Sequence, residues 1–176
     1  MLSAAPLSFG WDSLLAFART HVHLTEAIVF ALGFAESIVF LSLLVPSTVL
    51  FLGLSGVHSA AGGEFAPVWL AASAGACAGD CITYAIGRHY RDGVGQVWPM
   101  TRYPDLIPRS RVLFERWGAV SIIIGKFIGM LRPFVPLVAG VSGMNCVLFV
   151  VASAVSSLIW AGVVIAPGYG IAIFAR

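Results

Sequence analysis

The chain has 176 residues, 59% of them hydrophobic and only 10% charged, with a formal net charge of +2 and a mean hydropathy of +0.95. This excludes a soluble globular domain, which needs far more polar surface, and fits an integral membrane protein. At roughly 20 residues per crossing, the length allows one bundle of about four to six embedded segments and leaves no room for a separate soluble domain.

Residues 1–23 open with MLSAAPLSFGWDS, which has no basic residue before Arg19 and therefore lacks the positive region of a cleavable signal peptide. Within them, FGWDSLLAFARTHVH (9–23) mixes aromatic, aliphatic and polar groups at helical spacing, which predicts an interfacial amphipathic helix. The apolar run from Leu24 to Val57 is too long for one span and too short for two, and Glu36 and Pro46-Ser47-Thr48 interrupt it. Residues 24–62 therefore read as a helix, a break and a return helix, with GVHSAAGGEFAP (56–67) as a loop.

Residues 66–88 predict a transmembrane helix rich in Ala, Gly and Ser, with Asp80 near its end. Its small residues, including Gly75 and Gly79, let neighbouring helices come close, so it should be central in the bundle. Residues 88–117 hold six of the ten basic residues (Arg88, Arg91, Arg102, Arg109, Arg111, Arg116) and read as cytoplasmic by the positive-inside rule. SRVLFERWG, in its later part, suits a short amphipathic helix. A second interrupted run, 118–144, carries Lys126, Arg132, Pro133 and Pro136, and a further transmembrane helix covers 145–166 before Pro167-Gly168-Tyr169-Gly170. Cys77, Cys81 and Cys146 all lie in apolar segments, where small buried hydrophobes are expected rather than a disulfide framework. His21, His23, His58 and His89 fall at interfacial or loop positions, where solvation is expected.

The two interrupted runs resemble each other. Glu36 precedes Val45-Pro46 by ten residues to the proline, Lys126 precedes Val135-Pro136 by the same distance, and Gly53-Leu54-Ser55-Gly56 answers Gly140-Val141-Ser142-Gly143. With 88–117 inside, one hairpin opens outward and the other inward. The expected fold is thus an all-α membrane protein, an inverted repeat of two re-entrant hairpins with flanking transmembrane helices, the arrangement that marks a transporter's binding site.

Glu36, Asp80, Lys126 and Arg132 are the embedded ionisable residues. Each charge at mid-bilayer costs about 2.5–3.5 kcal/mol unless paired or hydrated, so all four should face the bundle interior. One reading is structural, with two acids neutralising two bases and fixing helix register. The other is an anion site. Lys126 and Arg132, with backbone N–H groups freed at a broken helix, would bind phosphate, and Glu36 and Asp80 would balance charge or carry protons. Asp80, Tyr84 and Arg88 share one helix face at i, i+4 and i+8, with Tyr84 and Arg88 also suited to anchoring a helix end at the headgroups. Thr48 stands beside the first break. Cys77, Asp80, Cys81 and His58 lack the spacing of a metal site, and no phosphate loop, dinucleotide fingerprint or nucleophile elbow is present. Neither a metal, a cofactor nor a catalytic residue is expected.

An acid before a proline break (Glu36, Pro46), Gly79-Asp80-Cys81-Ile82-Thr83-Tyr84-Ala85-Ile86-Gly87-Arg88, Phe114-Glu115-Arg116-Trp117-Gly118, Lys126-Phe127, Arg132-Pro133-Phe134-Val135-Pro136-Leu137-Val138-Ala139-Gly140, Trp160 and Gly168-Tyr169 occur in this order. The series resembles the DedA family, also called the SNARE-associated or VTT-domain family, over roughly residues 25–170. The resemblance implies two oppositely oriented re-entrant hairpins and a bacterial cytoplasmic-membrane protein that moves a phosphate-bearing lipid, undecaprenyl phosphate above all, with links to the proton-motive force. It places the family's membrane acid at Glu36 and its second arginine at Arg132. The usual first arginine is Lys126 here, which keeps the charge but loses the two-pronged grip. Pro46-Ser47-Thr48 stands where members often have an acid after Pro-Gly, and members commonly carry one more C-terminal helix.

The expected partners are an anionic lipid substrate and the bilayer, with no nucleic acid; a homo-oligomer stays open. Three rival functions use the same charges: a proton-coupled ion or small-solute transporter, a membrane lipid phosphatase in which Glu36 activates water, and an assembly factor.

Overall fold

The computed structural model describes residues 22–38, 47–90, 93, 105–128 and 131–174. Seven helices, with no strand, occur among them: α1 (Val22–Ser37), α2 (Ser47–Ala60), α3 (Phe65–Tyr90), α4 (Leu106–Trp117), α5 (Val120–Gly125), α6 (Phe134–Val141) and α7 (Cys146–Phe174). Helix is what an apolar chain must form in lipid, because it satisfies every backbone N–H and C=O within one segment. Two helices, α3 and the Cys146–Gly170 part of α7, are long and apolar enough to cross a membrane. At 26 residues α3 is about 39 Å long, more than the hydrocarbon thickness of about 30 Å.

The centre of the bundle is α3, which packs against α1, α6 and α7. Its glycines decide where. A Cβ on Gly75 would strike the Phe30 carbonyl oxygen of α1, and one on Gly87 would strike the Leu137 carbonyl oxygen of α6. The two shorter helices thus press their backbones onto different ends of α3, the close approach that small residues permit in lipid. Meanwhile α7 packs along both α2 and α3. Its outer face carries Val147, Val151, Val155, Ile159 and Val163, spaced every four residues and all well exposed. Such a stripe would be a liability in water and is matched to acyl chains.

Two apolar clusters form the interior. One gathers Val29, Phe51, Val68, Ala72, Ala76, Trp160 and Ile165; the other gathers Tyr84, Ile122, Val135, Ala139 and Phe149. Along α3, Asp80 falls between Ala76 of the first and Tyr84 of the second; along α7, Ser153 and Ser157 fall between Phe149 and Trp160. A polar layer therefore separates two apolar ones.

Several boundaries differ from expectation. Helix α7 continues through Pro167 to Phe174 instead of ending near 166. Proline removes a single helical donor, and here the helix is held from outside: the Gly168 backbone lies so close to Ser55 and Gly56 of α2 that a Cβ would not fit. Helix α2 likewise runs on to Ala60, which reduces the loop before α3 to four residues with Gly62 in the left-handed region at φ 85°. His58, expected to be solvated, is therefore buried inside α2, with its ring 6.3 Å from that of Tyr169 on the extended part of α7. Cys146, expected to be buried, is exposed as the first residue of α7, while Cys77 and Cys81 are half-buried; all three thiols are free. Residues 9–21 of the expected interfacial helix, Pro46, Arg91 and Arg102 lie outside the described residues, as does the side chain of Thr48, while Val22 and His23 open α1.

Candidate functional site

The polar layer is assembled from five places in the chain. Asp80 comes from the buried side of α3. Lys126 closes the C-terminal end of α5. Their side chains are each 2% exposed, with Lys126 Nζ 2.5 Å from Asp80 Oδ2. Helix α7 adds two serines one turn apart: Ser153 Oγ donates to Asp80 Oδ2 at 2.7 Å, and Lys126 Nζ donates to Ser157 Oγ at 2.6 Å. The ammonium thus has a carboxylate and a hydroxyl, and Asp80 Oδ2 has two donors, while Asp80 Oδ1 is buried with no partner. These bonds return part of the hydration that a buried ion pair loses.

The second pair is built differently. Glu36, in the last turn of α1, lies against Arg132, which stands two residues before α6; the Arg132 side chain is 5% exposed and that of Glu36 14%. The contact joins Glu36 Oε1 and Arg132 Nη1. Among the described residues, Arg132 Nε and Nη2 and Glu36 Oε2 are buried with no hydrogen-bond partner. The guanidinium also lies over the Trp160 ring, 3.9 Å from its centroid. That ring is set in turn by an edge contact with Phe51 of α2, at 5.3 Å and 84°. Thr83 Oγ1 donates to the Ser37 carbonyl at 2.9 Å, tying α3 to the end of α1 beside Glu36. The pairs are close enough for the charges of Arg132, Asp80 and Lys126 to act on one another.

The four embedded residues singled out in the sequence thus meet in one layer, with two acids against two bases. The pairing is Asp80 with Lys126 and Glu36 with Arg132. Tyr84 and Arg88 continue the Asp80 face but belong to a separate contact: Tyr84 Oη donates to the Met144 carbonyl, and Arg88 Nη1 donates to Tyr84 Oη at 2.8 Å. Ser153 and Ser157, which sequence reading passed over, complete the lysine site. Their signal was present in the sequence: Ser153 and Ser157 stand at i and i+4, with Ser156 the third hydroxyl of a largely apolar span. Among the described residues, His, Cys, Asp and Glu nowhere gather in threes as metal ligands would.

Fold and site together define a helical membrane protein with a charge cluster held between two apolar layers. The family model of the VTT domain matches residues 45–170. The chain therefore belongs to the VTT-domain, or DedA, family. It is similar to the membrane protein BU139 of Buchnera aphidicola (28% identical, covering 85% of this chain and 62% of the relative). It is also similar to the inner membrane protein YabI of Escherichia coli (26%, covering 82% and 59%) and to the membrane protein Rv2637 of Mycobacterium tuberculosis (34%, covering 52% and 44%). The chain thus spans about three fifths of the length of the first two relatives. No solved structure matches it.

Proposed function

We propose that this protein is a non-enzymatic transporter that moves a phosphate-bearing lipid, a polyprenyl phosphate such as undecaprenyl phosphate, between the leaflets of the bacterial cytoplasmic membrane. The observation that carries this reading is Arg132: a buried guanidinium over an aromatic face, held by an acid through Nη1, with Nε and Nη2 in no hydrogen bond. A buried cation in that condition gains from an oxyanion that can accept two aligned N–H bonds, and phosphate is such a ligand.

Charge balance supplies the coupling. Glu36 and an incoming phosphate compete for one guanidinium. A proton taken up by Glu36 frees Arg132 for phosphate; its release drives the phosphate off again. Asp80 and Lys126 keep their mutual contact and add a fixed, net-neutral wall. In this scheme α1–α2 and α5–α6 are the two re-entrant hairpins of an inverted repeat, and their rocking exposes the site to either leaflet in turn. The lipid tail stays in the bilayer, alongside the apolar outer face of α7.

The test is leaflet exchange of a labelled polyprenyl phosphate in proteoliposomes. Arg132→Ala is expected to slow exchange by about 10- to 100-fold, the range given by losing a charge-assisted hydrogen bond. Glu36→Ala should abolish the dependence of exchange on a pH gradient. Exchange at the wild-type rate in both variants would remove the site from the mechanism, and phosphate release from the lipid would indicate a phosphatase instead.

A further inference from the structure

A groove of about 480 Å³ lies between α3 and α7, running along α3 from Cys81, next to Asp80, to Arg88 and His89, with Arg88 about 12 Å, or two helical turns, beyond Asp80. Its floor is the stacked pair Tyr84 and Phe149, with ring centroids 4.3 Å apart and planes at 19°. Cys81, Cys146 and Val150 form its sides, and Arg88 and His89, both exposed, stand at its rim. Arg88 is tethered there through one nitrogen, Nη1, which donates to Tyr84 Oη at 2.8 Å and to the Met144 carbonyl at 3.3 Å. This orients a fork that carries five N–H donors in all.

The chemistry of the groove is divided. One end offers an oriented guanidinium and an imidazole; the rest is aromatic and aliphatic. Next to its α7 lining, Cys146, Phe149 and Val150, the helix exposes Val147, Leu148 and Val151. The neighbouring surface is basic: α4, whose Leu113 and Phe114 join the cluster under the groove, exposes Arg109, Arg111 and Arg116 against Asp105 and Glu115. A free phosphate would use the cation and leave the apolar walls wet. An amphiphile with a phosphate head uses both.

We propose that this groove docks a phosphate-bearing lipid at the cytoplasmic surface, with its headgroup on Arg88 and the start of its chain over Phe149 and Val150. The inference rests on the transport reading in one respect: from here the headgroup would be handed along the Asp80 face of α3 to Arg132. Docking itself is a separate event and can be measured separately.

The natural thiol of Cys146 reports on occupancy. The full chain is placed in nanodiscs of phosphatidylcholine with and without phosphatidic acid, and maleimide modification of Cys146 is followed by peptide mass spectrometry. Phosphatidic acid should slow modification severalfold in the wild type. The protection should vanish in Arg88→Gln, persist in part in Arg88→Lys, and remain in Arg132→Gln, whose side chain lies in the other site. Equal modification rates of all variants in phosphatidylcholine alone verify that the groove is intact. Protection that survives Arg88→Gln, or that inorganic phosphate reproduces in phosphatidylcholine discs, would overturn the proposal; so would no protection at all in wild type. If Arg132→Ala leaves leaflet exchange intact while Cys146 is protected through Arg88, the transport reading fails and the groove stands. The reverse result separates them the other way.

Discussion

Asp80–Lys126 and Glu36–Arg132 lie in one polar layer and carry the same charges, yet their surroundings are unlike. Around the first, two serines of α7 supply a donor to the acid and an acceptor to the base. Around the second there is an aromatic ring, and two guanidinium nitrogens and one carboxylate oxygen have no hydrogen bonds. Burial costs both pairs their hydration and leaves each acid one oxygen without a partner, Asp80 Oδ1 and Glu36 Oε2, but the base of the first pair recovers more of it inside the protein. Identical formal charges can therefore serve different ends. The better-bonded pair joins α3, α5 and α7, and the other keeps free donors on its base that a ligand can meet.

The comparison breaks most sharply at Asp80. Asp80→Ala strands the Lys126 ammonium in the apolar interior, and removing one partner of a buried pair costs about 3–5 kcal/mol. A much lower unfolding midpoint in detergent is expected, and Asp80→Asn combined with Lys126→Met should recover most of the loss. Glu36→Ala should cost clearly less stability, since Arg132 keeps the Trp160 face and the pair was poorly bonded from the start. A stable Asp80→Ala variant alongside an unstable Glu36→Ala one would reverse the roles assigned to the two pairs.

Much of this layer could be read from the sequence because charges are so rare in it. With 10% charged residues, Glu36, Asp80, Lys126 and Arg132 stand out against their apolar runs, and the cost of leaving them in lipid predicts that they meet. Helix and loop were legible for the same reason: in lipid, length and apolarity decide. Gly75, read as a packing residue, meets the backbone of α1. Partner choice was not legible. Nothing in a one-dimensional pattern says that Asp80 takes Lys126 rather than Arg132, because that depends on how α5 and α6 pack against α3 and α7. The burial of His58 and the helical course through Pro167 were hidden likewise, since both depend on α2 and the end of α7 covering each other.

A smaller effect sharpens the comparison from the base side. Lys126→Arg supplies the arginine that the family resemblance implies here, but the cavity holds a single nitrogen between Asp80 and Ser157 at 2.5 and 2.6 Å. A planar guanidinium is larger than that space, and overpacking a fitted interior costs about 1–3 kcal/mol. The expected outcome is a protein less stable than wild type despite its more typical sequence. Combining it with Ser157→Ala, which clears room on α7, should return part of the loss. A stabilising Lys126→Arg would mean that the lysine pocket is as open to a ligand as the arginine one.

The smallest expected effect concerns Trp160. Its indole face is the partner that Arg132 keeps whether Glu36 is charged or neutral, so it should hold the guanidinium in place while the acid gives way to phosphate. Trp160→Phe keeps an aromatic surface but weakens the attraction, which for an arginine over a tryptophan amounts to about 0.5–2 kcal/mol in all. The apparent affinity for a phosphate-bearing lipid should fall by about two- to fivefold, since each tenfold corresponds to about 1.4 kcal/mol. Cation–π attraction is lost only where Arg132 is present, so in an Arg132→Ala background the same change should have no further effect on affinity. An equal loss in both backgrounds would show that Trp160 serves packing with Phe51 alone, and that Arg132 is oriented for its ligand by Glu36.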